Sequence, residues 1–230
     1  MSYKILKPQL KKSIKAVLFD MDGVVLDTEK LYTRFWLEAI TKCGYKITKE
    51  EVLGLRSLNR VNATKDLEDL FKKKIDYDLI HNLRIELMDK WILENGVEAK
   101  PGIYELLDYL EVNKIPFAIT TSSPMERIKR YLTPLGLFER FKHICTAYEV
   151  KNGKPAPDIY LYGAKTLGID PSKCLALEDS HAGLLSAYQA KALNVMIPDQ
   201  DLPKENDLEI AFAISDSLKD IISLIEELNR

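Results

Sequence analysis

Short apolar runs recur along the chain at residues 16–19, 116–119, 143–145, 174–177, 193–197 and 211–214, each bounded by turn residues. Runs of this length without polar alternation read as strands covered on both faces. Between most of them lie segments at 103–112, 126–132, 158–167, 182–190 and 218–228, whose apolar residues recur at helical spacing. Strand and helix in alternation dictate parallel βαβ units, so the expected fold class is α/β: a doubly wound parallel sheet with a Rossmann-like core.

One interval breaks the rhythm. From residue 29 to 99 no strand-like run appears, while "LYTRFWLEAI" and the ladder Leu79, Leu83, Leu87 and Trp91 both carry helical periodicity. The ladder is expected to be core. The chain is therefore expected to divide into a Rossmann-like core at 1–27 and 100–230 and an inserted helical domain at 28–99, with Pro101 and Gly102 marking the return to the sheet.

Composition narrows the function classes. With 46% hydrophobic residues, 30% charged residues and a formal net charge of −2, the chain has an ordinary globular balance and no general attraction for nucleic acid or an anionic membrane. It contains no stretch of about 18 apolar residues and no apolar leader segment. Cys43, Cys145 and Cys174 are widely spaced, form no CxxC pair and suit a reducing compartment, so a cytoplasmic location is expected. The lysine-rich segment at residues 4–15 is expected to be a solvated arm or leading helix. A monomer needs no further assumption.

The chemistry begins in "AVLFDMDGVVLDT". Residues i and i+2 of a strand face the same side, so Asp20 and Asp22 can project together at a strand end while Met21 points away. Two close carboxylates repel unless a cation compensates, and a hard divalent ion such as Mg²⁺ takes such oxygen ligands. "ITTSS" ends another strand in hydroxyl residues ahead of a helix, a setting that caps helices and also holds anions. "KNGKPAPD" fixes Lys154 between Gly153 and Pro155, and "LEDSHAG" places Glu178 and Asp179 at a third strand end. All these groups lie at the carboxyl ends of parallel strands or in the loops that follow, where open α/β sheets build their sites.

These four segments, in this order, resemble the haloacid dehalogenase-like hydrolases, in particular the phosphatases and β-phosphoglucomutases with a helical cap. The resemblance implies that Asp20 attacks phosphorus to form an aspartyl phosphate and that Asp22 acts as acid and then base while its backbone carbonyl binds the metal. It implies Mg²⁺ held by Asp20, Asp22, Asp179 and Glu178. The transferring phosphoryl group is expected on Thr121, Lys154 and the backbone N–H groups of Met21 and Ser122.

Within the branch, the expectation is a phosphatase acting on a small phosphorylated metabolite, a sugar phosphate or nucleoside monophosphate. β-Phosphoglucomutase is the alternative, and a catalytically silent binding protein of the same fold the third reading. Tyr32 stands where the mutases carry a histidine and "GLRSLN" departs from their Ser-Arg cap loop, which argues against the mutase. Arg56, in that loop, is the candidate specificity residue, because a guanidinium pairs bidentately with phosphate or diol oxygens.

Overall fold

The computed structural model describes residues 3–55, 60–200 and 203–230. In chain order the elements are β1 (Tyr3–Ile5), β2 (Ala16–Phe19), α1 (Glu29–Lys42), α2 (Lys49–Gly54), α3 (Arg60–Phe71), α4 (Tyr77–Asn95), α5 (Ile103–Val112), β3 (Phe117–Thr121) and α6 (Met125–Leu132). They continue with β4 (Ile144–Thr146), α7 (Asp158–Thr166), β5 (Cys174–Glu178), α8 (His181–Gln189), β6 (Leu193–Met196), α9 (Glu205–Ile210), β7 (Ala213–Ser215) and α10 (Leu218–Asn229).

The strands form one sheet in the order β1-β7-β6-β5-β2-β3-β4. Every pairing is parallel except β1 with β7. The sheet is open and mostly parallel with flanking helices, as the alternation predicts. Strands β2 and β5 lie at its centre and are buried along their whole length, the burial pattern of strands covered on both faces. The register sets Leu18 beside both Ala118 and Ala176, and Ile159, Tyr160 and Ala164 of α7 join the same core cluster.

Two compact units emerge. Residues Met1–Asp27 with Glu98–Arg230 form the sheet unit, and Thr28–Val97 form a helical one. The helical unit packs Ala39, Ile40, Val52, Leu67 and Ile80 into a small core. Thr48 and Glu51 close a reciprocal cap at the start of α2, and the Asp76 side chain accepts from the Leu79 N–H at the start of α4.

The structure corrects three details of the sequence reading. Residues 3–5 are neither a solvated arm nor a helix: they add an antiparallel edge strand, a pairing with residues more than 200 positions away that no local pattern announces. The strand read at 211–214 starts two residues later, β7 running Ala213–Ser215 after helix α9 ends at Ile210. In α4 the fully buried row is Ile80, Arg84, Met88 and Ile92, whereas Leu79 is 58% exposed. The expected ladder is thus rotated by one residue, although Leu83 and Leu87 still pack at the edge of the helical core. Arg84 hid the true face. Its guanidinium lies 5.0 Å from the Tyr32 ring centroid and 5.3 Å from that of Trp36, so a cation occupies a buried position on aromatic faces.

Candidate active site

The site grows from the carboxyl ends of β2, β3 and β5. Chain leaving β2 is held against β5 by the Asp20 N–H, which donates to the Leu177 carbonyl at 3.0 Å. It then folds back on itself: Val25 and Leu26 N–H groups both donate to the Met21 carbonyl at 2.9 Å, and Gly23 N–H donates to Leu26 at 2.8 Å. Gly23 has φ of +83°, a left-handed conformation that glycine adopts without strain. Met21, just past the end of β2, is fully buried.

Lys154 is the hub. Its ammonium donates to Asp20 Oδ1 and to Glu178 Oε1. The loop that presents it is tied down on both sides. Asn152 donates to Asp158 Oδ1 through its N–H and its side-chain amide, both at 3.1 Å, and Ser186 Oγ donates to the Ala156 carbonyl. Glu178 ends β5 with no exposed surface, and its Oε1 also accepts from the Tyr160 hydroxyl. Asp179 follows, 6% exposed.

The hydroxyl loop after β3 supplies the third side. Thr121, the last residue of the strand, is buried and its Oγ1 accepts from the Ser123 N–H at 3.1 Å. Ser123 Oγ donates in turn to Asp22 Oδ2 at 3.0 Å. Thr120 turns inward instead, its Oγ1 donating to the Phe19 carbonyl at 3.2 Å. Ser122 is exposed.

Electrostatics follow from burial. Enclosure of the Asp20 carboxyl, only partly offset by Lys154 and aggravated by Glu178, pushes its pKa up to about 8. Burial works against the charge of Lys154, but Asp20 and Glu178 outweigh it and hold the ammonium well above the ordinary lysine value. Tyr160 is pushed well above the usual phenol range by burial and by Glu178. Asp20, Glu178 and Asp179 offer carboxylate oxygens that all lie within 4.8 Å of one another. This buried all-oxygen donor set fits a hard divalent cation.

The structure thus gathers Asp20, Lys154, Glu178 and Asp179 into one cluster and links Asp22 and Thr121 through Ser123. Arg56 lies outside the described residues. Ser123 and Tyr160 were missed from sequence. The four-residue hydroxyl run signalled that some hydroxyl matters here, but only the turn geometry selects which. Of the histidines, His181 opens α8 with Nδ1 2.7 Å from Asp207 Oδ1, His81 lies 2.9 Å from an Arg84 nitrogen, and His143 precedes β4.

Comparison with known proteins points the same way. The family model described as haloacid dehalogenase-like hydrolase matches residues 14–191. A Drosophila melanogaster protein named "Probable pseudouridine-5'-phosphatase" is 35% identical over 203 residues, 84% of this chain and 86% of that protein. Hexitol phosphatase A of Escherichia coli (strain K12) is 33% identical over 200 residues, covering 85% and 89%. The crystal structure of β-phosphoglucomutase from Clostridium difficile superposes with a TM-score of 0.72 at 26% identity, covering 94% of this chain and 97% of that one. With the family model spanning most of the sheet unit and all four sequence segments inside it, this chain belongs to the haloacid dehalogenase-like hydrolases.

Proposed function

We propose that the protein is a Mg²⁺-dependent phosphatase that removes phosphate from a small phosphorylated metabolite, a sugar phosphate or nucleoside monophosphate. The observation that carries the reading is the buried ammonium of Lys154 set between Asp20 and Glu178, in a cluster where oxygens of Asp20, Glu178 and Asp179 lie within 4.8 Å of one another. A dianionic phosphate can approach a carboxylate nucleophile only where such charge is fixed in advance. The named relatives support the class, being phosphatases of pseudouridine 5'-phosphate and of hexitol phosphates by name.

In this reading Asp20 attacks phosphorus through a carboxylate oxygen. The bond from phosphorus to the leaving oxygen breaks, and Asp22 delivers its proton to that oxygen. Water then attacks the aspartyl phosphate, Asp22 takes a proton from it, and the phosphorus–Asp20 bond breaks to release phosphate. Ser123 holds the Asp22 carboxyl for both transfers. Lys154, the Thr121 hydroxyl and the Ser122 N–H bind the phosphoryl oxygens. Asp20, Glu178, Asp179 and the Asp22 backbone carbonyl are the residues that would hold Mg²⁺, which supplies positive charge to the nucleophile and the transferring group when bound.

A panel of sugar phosphates and nucleoside monophosphates, assayed with Mg²⁺ and with EDTA, tests the proposal. Turnover that survives EDTA, or that is undiminished in Asp20→Asn, would overturn it. The likeness to a β-phosphoglucomutase structure favours one second reading, in which a sugar hydroxyl replaces water as acceptor. Incubation with β-glucose 1-phosphate separates the two: glucose 6-phosphate marks the mutase, glucose with free phosphate the phosphatase.

A further inference from the structure

The sheet unit holds a cavity of about 550 Å³ at the amino ends of β3 and β4, bounded by the end of α5 and the segment that leads into β4. Phe117 opens β3 and lines this cavity, whereas Thr121 closes the same strand at the candidate active site. Four residue steps of about 3.3 Å put roughly 13 Å of strand between them. A cavity of this size lies in the range that takes a small organic molecule.

Its lining is of two kinds. Leu110, Ile115, Pro116 and Phe117 make an apolar base. Phe117 is braced there by edge-on contacts with Phe141 and Phe19, at centroid distances of 5.4 and 6.2 Å. Lys114, Lys142 and His143 add nitrogen groups, and all three residues are exposed. The acids are outweighed. Glu111 accepts from Arg140 Nε at 2.9 Å, and Arg140 also donates to Asp108, which leaves Glu139 as the other acid of the lining against two lysines. The end of α5 adds little negative charge, because the carbonyls of Tyr109, Leu110 and Glu111 accept from the N–H groups of Asn113, Ile115 and Lys114.

We propose that this cavity binds a small aromatic carboxylate, its ring on the apolar base beside Phe117 and its carboxylate among Lys114, Lys142 and His143. A ring gains by leaving water on such a base, and a carboxylate at the exposed margin keeps much of its hydration while it gains attraction from the lysines. A phosphate ester of a polar metabolite has little surface to offer the base, and a purely apolar molecule leaves the lysines unused. Nothing in this site depends on the phosphatase reading.

Titration of the full chain with 2-naphthoate, followed in two-dimensional amide NMR spectra, tests the proposal, with 2-naphthalenemethanol as the uncharged analogue. Amide signals of residues 110–117 and 139–143 should shift and saturate with a Kd of about 1 mM or tighter, and saturating inorganic phosphate should leave that Kd unchanged. Lys114→Glu with Lys142→Glu should weaken naphthoate by about tenfold and change the affinity for the uncharged analogue by less than about twofold. Both lysines are exposed, and the spectrum of the double variant itself reports whether it is folded. Failure to saturate by about 20 mM naphthoate overturns the proposal. Displacement by phosphate does so too, as it places the probe in the active site, and so does a double variant that binds naphthoate as tightly as wild type.

Discussion

Ser123 Oγ and Asp22 Oδ2 stand 3.0 Å apart, joining the loop after β3 to the loop after β2. The contact holds the carboxyl that the proposed mechanism uses twice, and correct aim is part of what makes general acid–base catalysis effective. Ser123→Ala is therefore expected to lower kcat by about tenfold with little change in KM, since phosphate binding rests on other groups. Steady-state kinetics on the best ester checks this. An unaltered kcat would mean that Asp22 is oriented without Ser123.

Lys154→Met removes the only ammonium in contact with Asp20 and Glu178 among the described residues. Two buried carboxylates are then left facing each other. Catalytic efficiency should fall by about 10³-fold or more, and breaking a buried pair by removing one partner costs on the order of 3 kcal/mol of stability. Urea unfolding and kinetics measure both. Lys154→Arg is not expected to restore activity, because the planar guanidinium cannot replace a point charge inserted between two carboxylates.

The raised Asp20 pKa makes a prediction about pH. A carboxyl that titrates near 4 when unfolded and at about 8 when folded holds its proton more tightly in the native state. Its contribution to stability is complete below pH 4 and is lost as pH rises towards 8. Lys154 does not titrate in this window, its value being raised well above that of an ordinary lysine. In EDTA the wild-type Tm should fall between pH 5.5 and 8 by more than that of Asp20→Asn, and Mg²⁺ should restore it most at pH 8. Parallel Tm profiles for the two proteins would count against a buried, electrically unsatisfied Asp20.

Gly163 marks where α7 meets the sheet. A Cβ there would lie 2.6 Å from Thr120 Cγ2 and 3.2 Å from Leu18 Cδ2, both on central strands. Gly163→Ala is expected to destabilise the protein by about 1–3 kcal/mol through overpacking, despite the higher helix propensity of alanine. A denaturant midpoint at or above wild type would show that α7 can retreat.

The thiols should sort by burial. Burial pushes the Cys174 thiol up to about 12 and raises that of Cys145, so little thiolate exists at neutral pH. Cys43 is only half-buried. Titration of native protein with a disulfide reagent should give one fast-reacting thiol, Cys43, and two that react only on denaturation. Three fast thiols would contradict the burial.

The site was legible where a single residue type at a strand end carries the chemistry. Asp20, Lys154, Glu178 and Asp179 stand beside glycine, proline or an apolar run that fixes their backbone, and proximity then follows from the parallel order of β2 and β5. Ser122 and Ser123 were not separable in the same way. Both are small hydroxyl residues in one turn, and only its dihedral path decides that Ser123 is buried against Asp22 while Ser122 is exposed. Helix α4 was legible as a helix but not in its rotation, because a buried Arg84 reads as polar. Strand β1 escaped because its partner β7 lies at the far end of the chain.

The entrance and exit of the helical insertion are side by side. Asp27 N–H donates to the Glu98 carbonyl and Lys100 N–H to that of Val25, each at 2.9 Å, and Leu26 bridges to Ala99. To the sheet, residues 28–97 amount to one loop whose ends are already stapled. Loop-closure entropy grows only logarithmically, by about 0.6 kcal/mol per doubling of length. The sheet unit is thereby indifferent to how long or how elaborate its insertion becomes, so an unrelated segment can take its place without moving the strand end that carries Asp20.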